Sequence, residues 1–331
     1  MPTAVTPPAI EALPRFRLFD APSPFHRLPR FSEALGGGAD IWIKREDLLP
    51  LAFGGNKLRN LEFLVGAALA EDADTLITSG RRWSNHCRLT AAAGALAGLD
   101  VHLVLSGPSP DEPGANQRLD EMLGATVHVA ATDQRADREA LVQRVTTDLR
   151  RAGRRPHVIG VGGSGAIGAA GQVLAGLELF DQAVATAVEP VAIVLPSATG
   201  GTHAGLLAAA RLAGSDARVI GIAVAAPSAE LAPKIAGLLA DLTPLTGTEI
   251  DPAGIELSDA ERGAGYGTRT ADADAAAGLL ARTEGIFVDP VYTAKALAGL
   301  VSRARDGGLR GPVVFWHAGG TPALFEDLPP G

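Results

Sequence analysis

"VAIVLPSATGGTHAGLLAAA", residues 191–210, decides the fold: an apolar run, a small polar turn with paired glycines, then a segment rich in alanine and leucine. An apolar run without polar alternation describes a strand covered on both faces, the condition of a parallel sheet wrapped by helices. The same beat recurs outward from this stretch. "TLITSG" (75–80), "VHLVLSG" (101–107), "TVHVA" (126–130) and "HVIGVGG" (157–163) precede it, and "RVIGIAVA" (218–225) and "VVFWHAGG" (313–320) follow, with helical periodicity between them. The fold class is therefore α/β. Several runs end in glycine and polar residues, and in open α/β sheets ligands bind at that carboxyl edge. Glycine density rises at "VGGSGAIGAAG" (161–171), after an arginine-rich segment, which marks the clearest break in organisation.

At 331 residues, 47% hydrophobic and 20% charged, the chain can bury the core of two domains or one large one. A formal net charge of −8 argues against a general nucleic-acid or anionic-membrane surface and leaves room for a local basic pocket around one small anion. Cys87 is the single cysteine, so intrachain disulfides and thiolate clusters are excluded and a reducing cytoplasm is expected. No apolar run reaches the roughly 18 residues of a membrane span, and "MPTAVTPPAIEALPRFRLF" carries no export pattern. The histidines show neither H-x-x-x-H nor H-E-x-x-H spacing, so no metal is expected.

Four stretches hold candidate chemistry. In "FGGNKLRNLEF" (53–63) a lysine follows two glycines and an asparagine, in a chain whose only lysines are Lys44, Lys57, Lys234 and Lys295. Leu58, Leu61, Val65 and Ala68 step at helical spacing, so Lys57 falls in the first turn of an amphipathic helix. Partial positive charge at a helix N-terminus disfavours the ammonium form, which suits Schiff-base chemistry. Gly54 and Gly55 allow close approach of backbone to a flat cofactor, and Asn56 offers an amide; a surface lysine after a turn fits the pattern equally well. The second stretch is the opening one: Thr199, Gly200, Gly201 and Thr202 at a helix start form a nest for a monophosphate, or simply a glycine-rich turn. In "SGRRWSNHCRLTAAAG" (79–94), Ser84, Asn85 and His86 stand between strand and helix, suited to a carboxylate, with an N-cap as the plainer role for Ser84. Tyr266 and Tyr292, the only tyrosines, lie beside turn signals, where a ring stacks or a hydroxyl moves a proton, or merely packs.

A reactive lysine, a phosphate nest and two such tyrosines are what pyridoxal 5′-phosphate needs. "GGNKLRNLEFL", "SNHCRLTAAAGALAGL", "TGGTHAGLLAA", "LLARTEGIFVDPVYTAKALAGL" and "VVFWHAGGTPALF", in this order from about Ile41 to Phe325, resemble the D-cysteine desulfhydrase and 1-aminocyclopropane-1-carboxylate deaminase family of fold-type II enzymes. The resemblance implies two open, twisted, mostly parallel sheets wrapped by helices, with pyridoxal phosphate on Lys57 and that lysine as the proton shuttle. It assigns the substrate carboxylate to Ser84, Asn85 and His86, the cofactor's phenolic oxygen to Asn85, the phosphate to residues 199–202, and catalytic roles to Tyr266 and Tyr292. It also implies a large domain of residues 1–54 and 164–331, a small domain of residues 55–163, and a homodimer.

Thr293 after the second tyrosine and Thr321 after the late glycine pair resemble the desulfhydrase branch, where deaminases carry Glu and Leu. A threonine near the pyridine nitrogen leaves the ring a weaker electron sink than a carboxylate would, which suffices to expel thiolate. α,β-Elimination of a small β-substituted amino acid such as D-cysteine, giving pyruvate and ammonia, is the expected reaction. Cyclopropane-ring deamination, racemisation, and a non-catalytic protein binding a phosphorylated ligand remain the alternatives. One departure bears on the substrate: Arg81, Arg82 and Trp83 replace the Gly-Val/Ile-Gln usual before Ser-Asn-His. Either the loop is remodelled toward solvent, or Trp83 resizes the pocket and Arg82 pairs with a second anion, as on cysteate or a larger S-conjugated cysteine.

Overall fold

The computed structural model describes residues 5–107, 113–326 and 328. Among the described residues ten strands form two sheets: β1 (Phe25–Arg27), β2 (Ala39–Arg45), β3 (Thr75–Arg81), β4 (Asp100–Ser106), β5 (Thr126–Val129), β6 (Pro156–Val158), β7 (Ala192–Ser197), β8 (Arg218–Ala223), β9 (Glu256–Ser258) and β10 (Gly311–His317). The larger sheet runs β1-β2-β10-β7-β8-β9 and is parallel except for the β1–β2 pair; the smaller runs β5-β4-β3-β6, all parallel. The α/β reading thus holds. Every residue of β7 is buried, as the unbroken apolar run at its position required. Pro196 is tolerated there because β10 pairs with β7 only at Ala192, Ile193 and Val194, so its missing N–H interrupts no ladder on that side.

Three strands fall outside the apolar-run reading: β1, β2 and β9. β2, "ADIWIKR", hides its character because Lys44 is wholly buried within it. The run at 157–163 is also shorter than expected, since the strand stops at Val158 and a 3-10 turn occupies Val161–Gly163. Gly162 and Gly163 take left-handed φ of 69° and 61°, which no strand continues through.

The helix Lys57–Ala70 packs against Ala166–Ala185 of the larger unit and against Asn85–Ala97 beside the smaller sheet. Its position is fixed by charge. Arg59 donates to both oxygens of Glu46, each at 2.9 Å, and to Glu178 at 2.7 Å, while Lys44 reaches Glu178 at 2.5 Å. Small residues let the backbones close. A Cβ at Gly171 would lie 1.9 Å from the Arg59 carbonyl oxygen, so only glycine fits where these two helices cross. All four strands of the smaller sheet fall between residues 75 and 158, and the two sheets aim their carboxyl ends at a common cleft.

This crossing predicts that Gly171→Ala costs about 3 kcal/mol, the upper range for overpacking a close contact. Thermal melting checks it: Gly171→Ala should melt several degrees lower, whereas Gly160→Ala, whose Cβ meets nothing within 4 Å, should melt with the parent.

Candidate active site

Between the sheets lies a cavity of about 370 Å³, lined among others by Asn56, Lys57, Ser84, Asn85, His86 and Tyr266. The approach to Lys57 is unusual backbone. Ala52, Phe53, Gly54 and Gly55 take φ of 46°, 64°, 63° and 130° in succession. Left-handed geometry at the two side-chain-bearing residues costs on the order of 1 kcal/mol each and persists because the surroundings fix it. At Gly54 a Cβ would sit 2.2 Å from the Asp47 carbonyl oxygen, so the chain folds back tightly here before the helix begins. Asn56 N donates to Ala318 O at 2.9 Å, tying that start to the end of β10. Lys57 is the first helical residue, and its Nζ donates to Gly162 O at 2.9 Å. Enclosure by protein on all sides but the cavity lowers its amine to about 8 by loss of hydration.

Across the cavity, Thr199, Gly200 and Thr202 stand where β7 ends and the helix Gly201–Leu212 begins. Gly200 has φ 88° and caps the helix, whose first-turn amides have no partner within it. Thr202 Oγ1 accepts from Asn56 Nδ2 at 2.8 Å, and Thr199 Oγ1 is 2.5 Å from Ser164 Oγ. Gly201 lies behind this turn and does not line the wall.

The smaller sheet supplies the third side. Ser84 caps the helix Asn85–Ala97 by accepting from Cys87 N at 3.3 Å, so the plainer role is real; its side chain also lines the cavity. Asn85 Oδ1 accepts from Arg88 Nη1 at 3.1 Å, and Asn85 lines the cavity. Arg88 is fully buried and also holds Gly54 O and Asn116 Oδ1. His86 Nε2 meets Thr78 Oγ1 at 2.9 Å, while its Nδ1 is buried without a partner among the described residues. Burial, then the nearby Lys57 charge, drives His86 down to about 3, so its ring is neutral.

Of the departing loop, Arg81 lines the cavity and Arg82 does not. Arg82 turns back to Gln117 Oε1 at 3.0 Å, whereas Arg81 pairs with Asp133 at 2.5 Å and lies over the Tyr266 ring at 5.5 Å. Trp83 is buried behind the wall, stacked on Tyr266 with centroids 5.9 Å apart, so it bears on the cavity through that tyrosine. The Tyr266 and Tyr292 hydroxyls touch each other, and burial raises both well above the ordinary tyrosine range. Lys295, also fully buried, donates to the carbonyls of Arg262 and Gly265 and so pins the loop that carries Tyr266. Thr293 is outside the wall: its hydroxyl donates to Asp289 at 2.5 Å, within the cap of the helix Thr293–Arg305. Thr321 likewise follows Gly319, a lining residue, without lining the cavity itself.

Arg135, Arg138 and Lys234 line the cavity and were not singled out from sequence, nor was the buried Arg88. An arginine inside the alanine-rich segment 85–97 was the one available signal for Arg88. The donor set suits pyridoxal phosphate: an amine of lowered pKa, a helix-start nest opposite, an oriented amide between, and a buried imidazole nitrogen without a partner. Among the described residues no group of three His, Cys, Asp or Glu is placed to hold a metal, and no helix is long and apolar enough to cross a membrane.

The sequence and fold match known proteins over nearly their whole length. A family model described as "Pyridoxal-phosphate dependent enzyme" matches residues 16–319. The chain is 41% identical over 327 residues to a D-cysteine desulfhydrase of Klebsiella pneumoniae, covering 96% of this chain and 97% of that one. A D-cysteine desulfhydrase of Salmonella typhi is also 41% identical, over 329 residues and the same shares. A crystallised ACC deaminase homologue superposes with a TM-score of 0.90 at 35% identity, covering 98% and 97%. Maize serine racemase, at 19% identity, TM-score 0.68 and 96% and 94% coverage, shares the fold.

Asp120, behind Arg88, generates a test of the site's surroundings. It is fully buried, neither oxygen has a hydrogen-bond partner among the described residues, and burial raises it from 3.8 to about 8 despite the pull of Arg88. The folded state therefore holds this proton more tightly than the unfolded chain, so the group withdraws stability as pH climbs from 3.8 toward about 8. Asp120→Asn should melt higher than the parent at pH about 8, with the gap closing near pH about 4.

Proposed function

The chain belongs to the family of pyridoxal-phosphate-dependent enzymes, and on that premise we propose that it cleaves the C–S bond of a small β-substituted amino acid, with D-cysteine as the reference substrate. The observation that carries this reading is the Lys57 amine, lowered to about 8 and facing the Thr199–Thr202 nest across one cavity. Relatives 41% identical and named D-cysteine desulfhydrase support the choice of reaction. Bound through its aldehyde, pyridoxal phosphate supplies the electron sink that acidifies the substrate's Cα–H.

This chain's residues do the rest. Thr199, Gly200 and Thr202 would hold the phosphate with hydroxyls and helix-start amides, assisted by Gly201 at the turn. Asn56 orients Thr202, and Asn85, held by Arg88, would meet the ring's phenolic oxygen. Ser84, Asn85 and His86 receive the substrate carboxylate at the start of their helix, where backbone dipoles favour an anion. Lys57 is placed to take the Cα proton, and departure of the β-sulfur with its bonding electrons completes the elimination. The Tyr266–Tyr292 pair, both protonated, is positioned to hand a proton to the leaving sulfur. The released enamine then hydrolyses to a 2-oxo acid and ammonia.

We also propose residues 1–54 with 164–331 as the large domain and residues 55–163 as the small one, a division supported by the confinement of the second sheet to 75–158. A homodimer in the cytoplasm belongs to the same proposal, with the family likeness and the single cysteine as its support. Ring-opening deamination is the second reading, favoured by the 35% identical ACC deaminase homologue. Thr293 and Thr321 bear on it only from behind the wall.

A screen for pyruvate and ammonia across D- and L-cysteine, β-chloroalanine and 1-aminocyclopropane-1-carboxylate tests the assignment. D-Cysteine should lead, and Lys57→Ala should lower turnover by about 1,000-fold or more; a cyclopropane substrate in the lead would transfer the assignment to the deaminase. A second test uses the cofactor-free protein. Only a neutral amine attacks an aldehyde, so the rate of covalent cofactor uptake, read at the visible chromophore, should climb with pH through an apparent pKa of about 8.

A further inference from the structure

The cavity wall holds more positive charge than the elimination uses. Five cationic side chains line it, Lys57, Arg81, Arg135, Arg138 and Lys234, against one carboxylate, Asp133. Asp133 pairs with Arg81 at 2.5 Å, Arg135 pairs with Glu139 at 2.6 Å, and Lys57 is committed to the cofactor. Lys234 neighbours Ile235, whose side chain packs at the Gly200 turn, so it stands beside the phosphate nest. Arg138 is left over. It is 8% exposed, donates from Nη1 to Ser106 Oγ at 2.8 Å, and has no partner for Nε among the described residues. It also lines an adjoining cavity of about 690 Å³ that shares Arg135, Val161, Ala198 and Thr199 with the first. Asp133 is the carboxylate near Arg138, reached through Ser106 Oγ, and that carboxylate is bonded directly to Arg81, so it is shared between two guanidiniums. A buried guanidinium without a carboxylate of its own is costly unless an anion arrives to pair with it.

The proposed mechanism assigns the substrate's own carboxylate to the start of the Ser84-capped helix, whose Cys87 and Leu89 pack with Leu76 on one face of β3, whereas Val142 and Val145 of this arginine's helix, Arg135–Arg151, pack with Ile77 on the other. We propose that Arg138, with Arg81 beside it, receives a second anionic oxyacid group, carboxylate or sulfonate, carried on the β-substituent of the amino-acid substrate. The inference rests on the lyase reading and narrows its substrate class. It also moves the anion contact from Arg82, which faces Gln117, to its neighbour in the sequence. Electron flow is unchanged: Lys57 takes the Cα proton, the Cβ–S bond breaks, and the pair leaves on sulfur as sulfite from cysteate or as a carboxyl-bearing thiolate from an S-carboxyalkyl cysteine.

The test compares kcat/KM of the holoenzyme for cysteate and S-carboxymethylcysteine with that for cysteine of the same configuration, in the parent, Arg138→Gln, Arg138→Lys and Arg81→Gln. The parent should favour an anionic substrate, and Arg138→Gln should lower the anionic-to-neutral ratio by about ten- to a hundred-fold, the worth of one charge-assisted contact. Arg138→Lys, which keeps the charge and loses the fork, should lower it less. Because the ratio is taken within each variant, general damage to the fold cancels. A parent that prefers cysteine, or a ratio unmoved in Arg138→Gln, overturns the proposal. Absence of turnover with every β-substituted amino acid sinks the lyase reading instead, and the anion site is then read by spectral titration of the holoenzyme with aspartate against alanine. Tighter binding of aspartate that Arg138→Gln erases upholds the site; equal binding removes it.

Discussion

The buried charge cluster of Lys44, Glu46, Arg59 and Glu178 sets the placement of everything else in the site. Lys44, Glu46 and Arg59 are buried and Glu178 closes the cluster from its half-buried rim, with Arg59 forking onto both oxygens of Glu46 while reaching Glu178. Dehydrating three charges is expensive, and only tight, fully bonded geometry repays it, so the arrangement tolerates little displacement. Arg59 lies two residues beyond Lys57 on the same helix, and fixing its guanidinium fixes the rotation of that helix. The reactive amine therefore points into the cavity because a neighbour one half-turn away has nowhere else to go.

Desolvation is the common instrument within the cavity. It lowers the Lys57 amine, keeps His86 neutral and holds the tyrosine hydroxyls protonated. One physical cause yields opposite consequences for acids and bases. A base is freed and two acids are kept loaded in the same enclosure, which is the division of labour that proton transfer at a carbon centre needs.

The parts of this design that were legible in sequence are those written in local pattern. The continuous apolar runs marked the central strands, the stepping of Leu58, Leu61, Val65 and Ala68 marked the Lys57 helix, and the Thr-Gly-Gly-Thr stretch marked the turn from strand to helix at the cavity. What stayed hidden depends on partners far along the chain. β2 carries a lysine that looks solvent-bound until Glu178, 134 residues away, is brought to it. The scarcity of lysine did signal a special environment, but for Lys44 and Lys295 that environment is structural burial. Arg81 and Arg82 are adjacent in sequence and opposite in fate, since the strand ends at Arg81 and the chain turns there; no periodicity distinguishes the two. Arg138 sits in a helix rich in arginine, where a single inward-facing member looks like its solvated neighbours.

The distribution of the four lysines has a practical corollary. Lys44 and Lys295 are sealed inside the protein, so apart from the chain's α-amino group an acylating reagent finds only Lys234 and, in protein free of cofactor, Lys57, and both border the cavity between the sheets. Coupling this protein to a resin or a dye through its amines would thus plug its own mouth. Attachment chemistry aimed at carboxylates, or at an added cysteine on the far edge of the larger sheet, would leave that entrance clear.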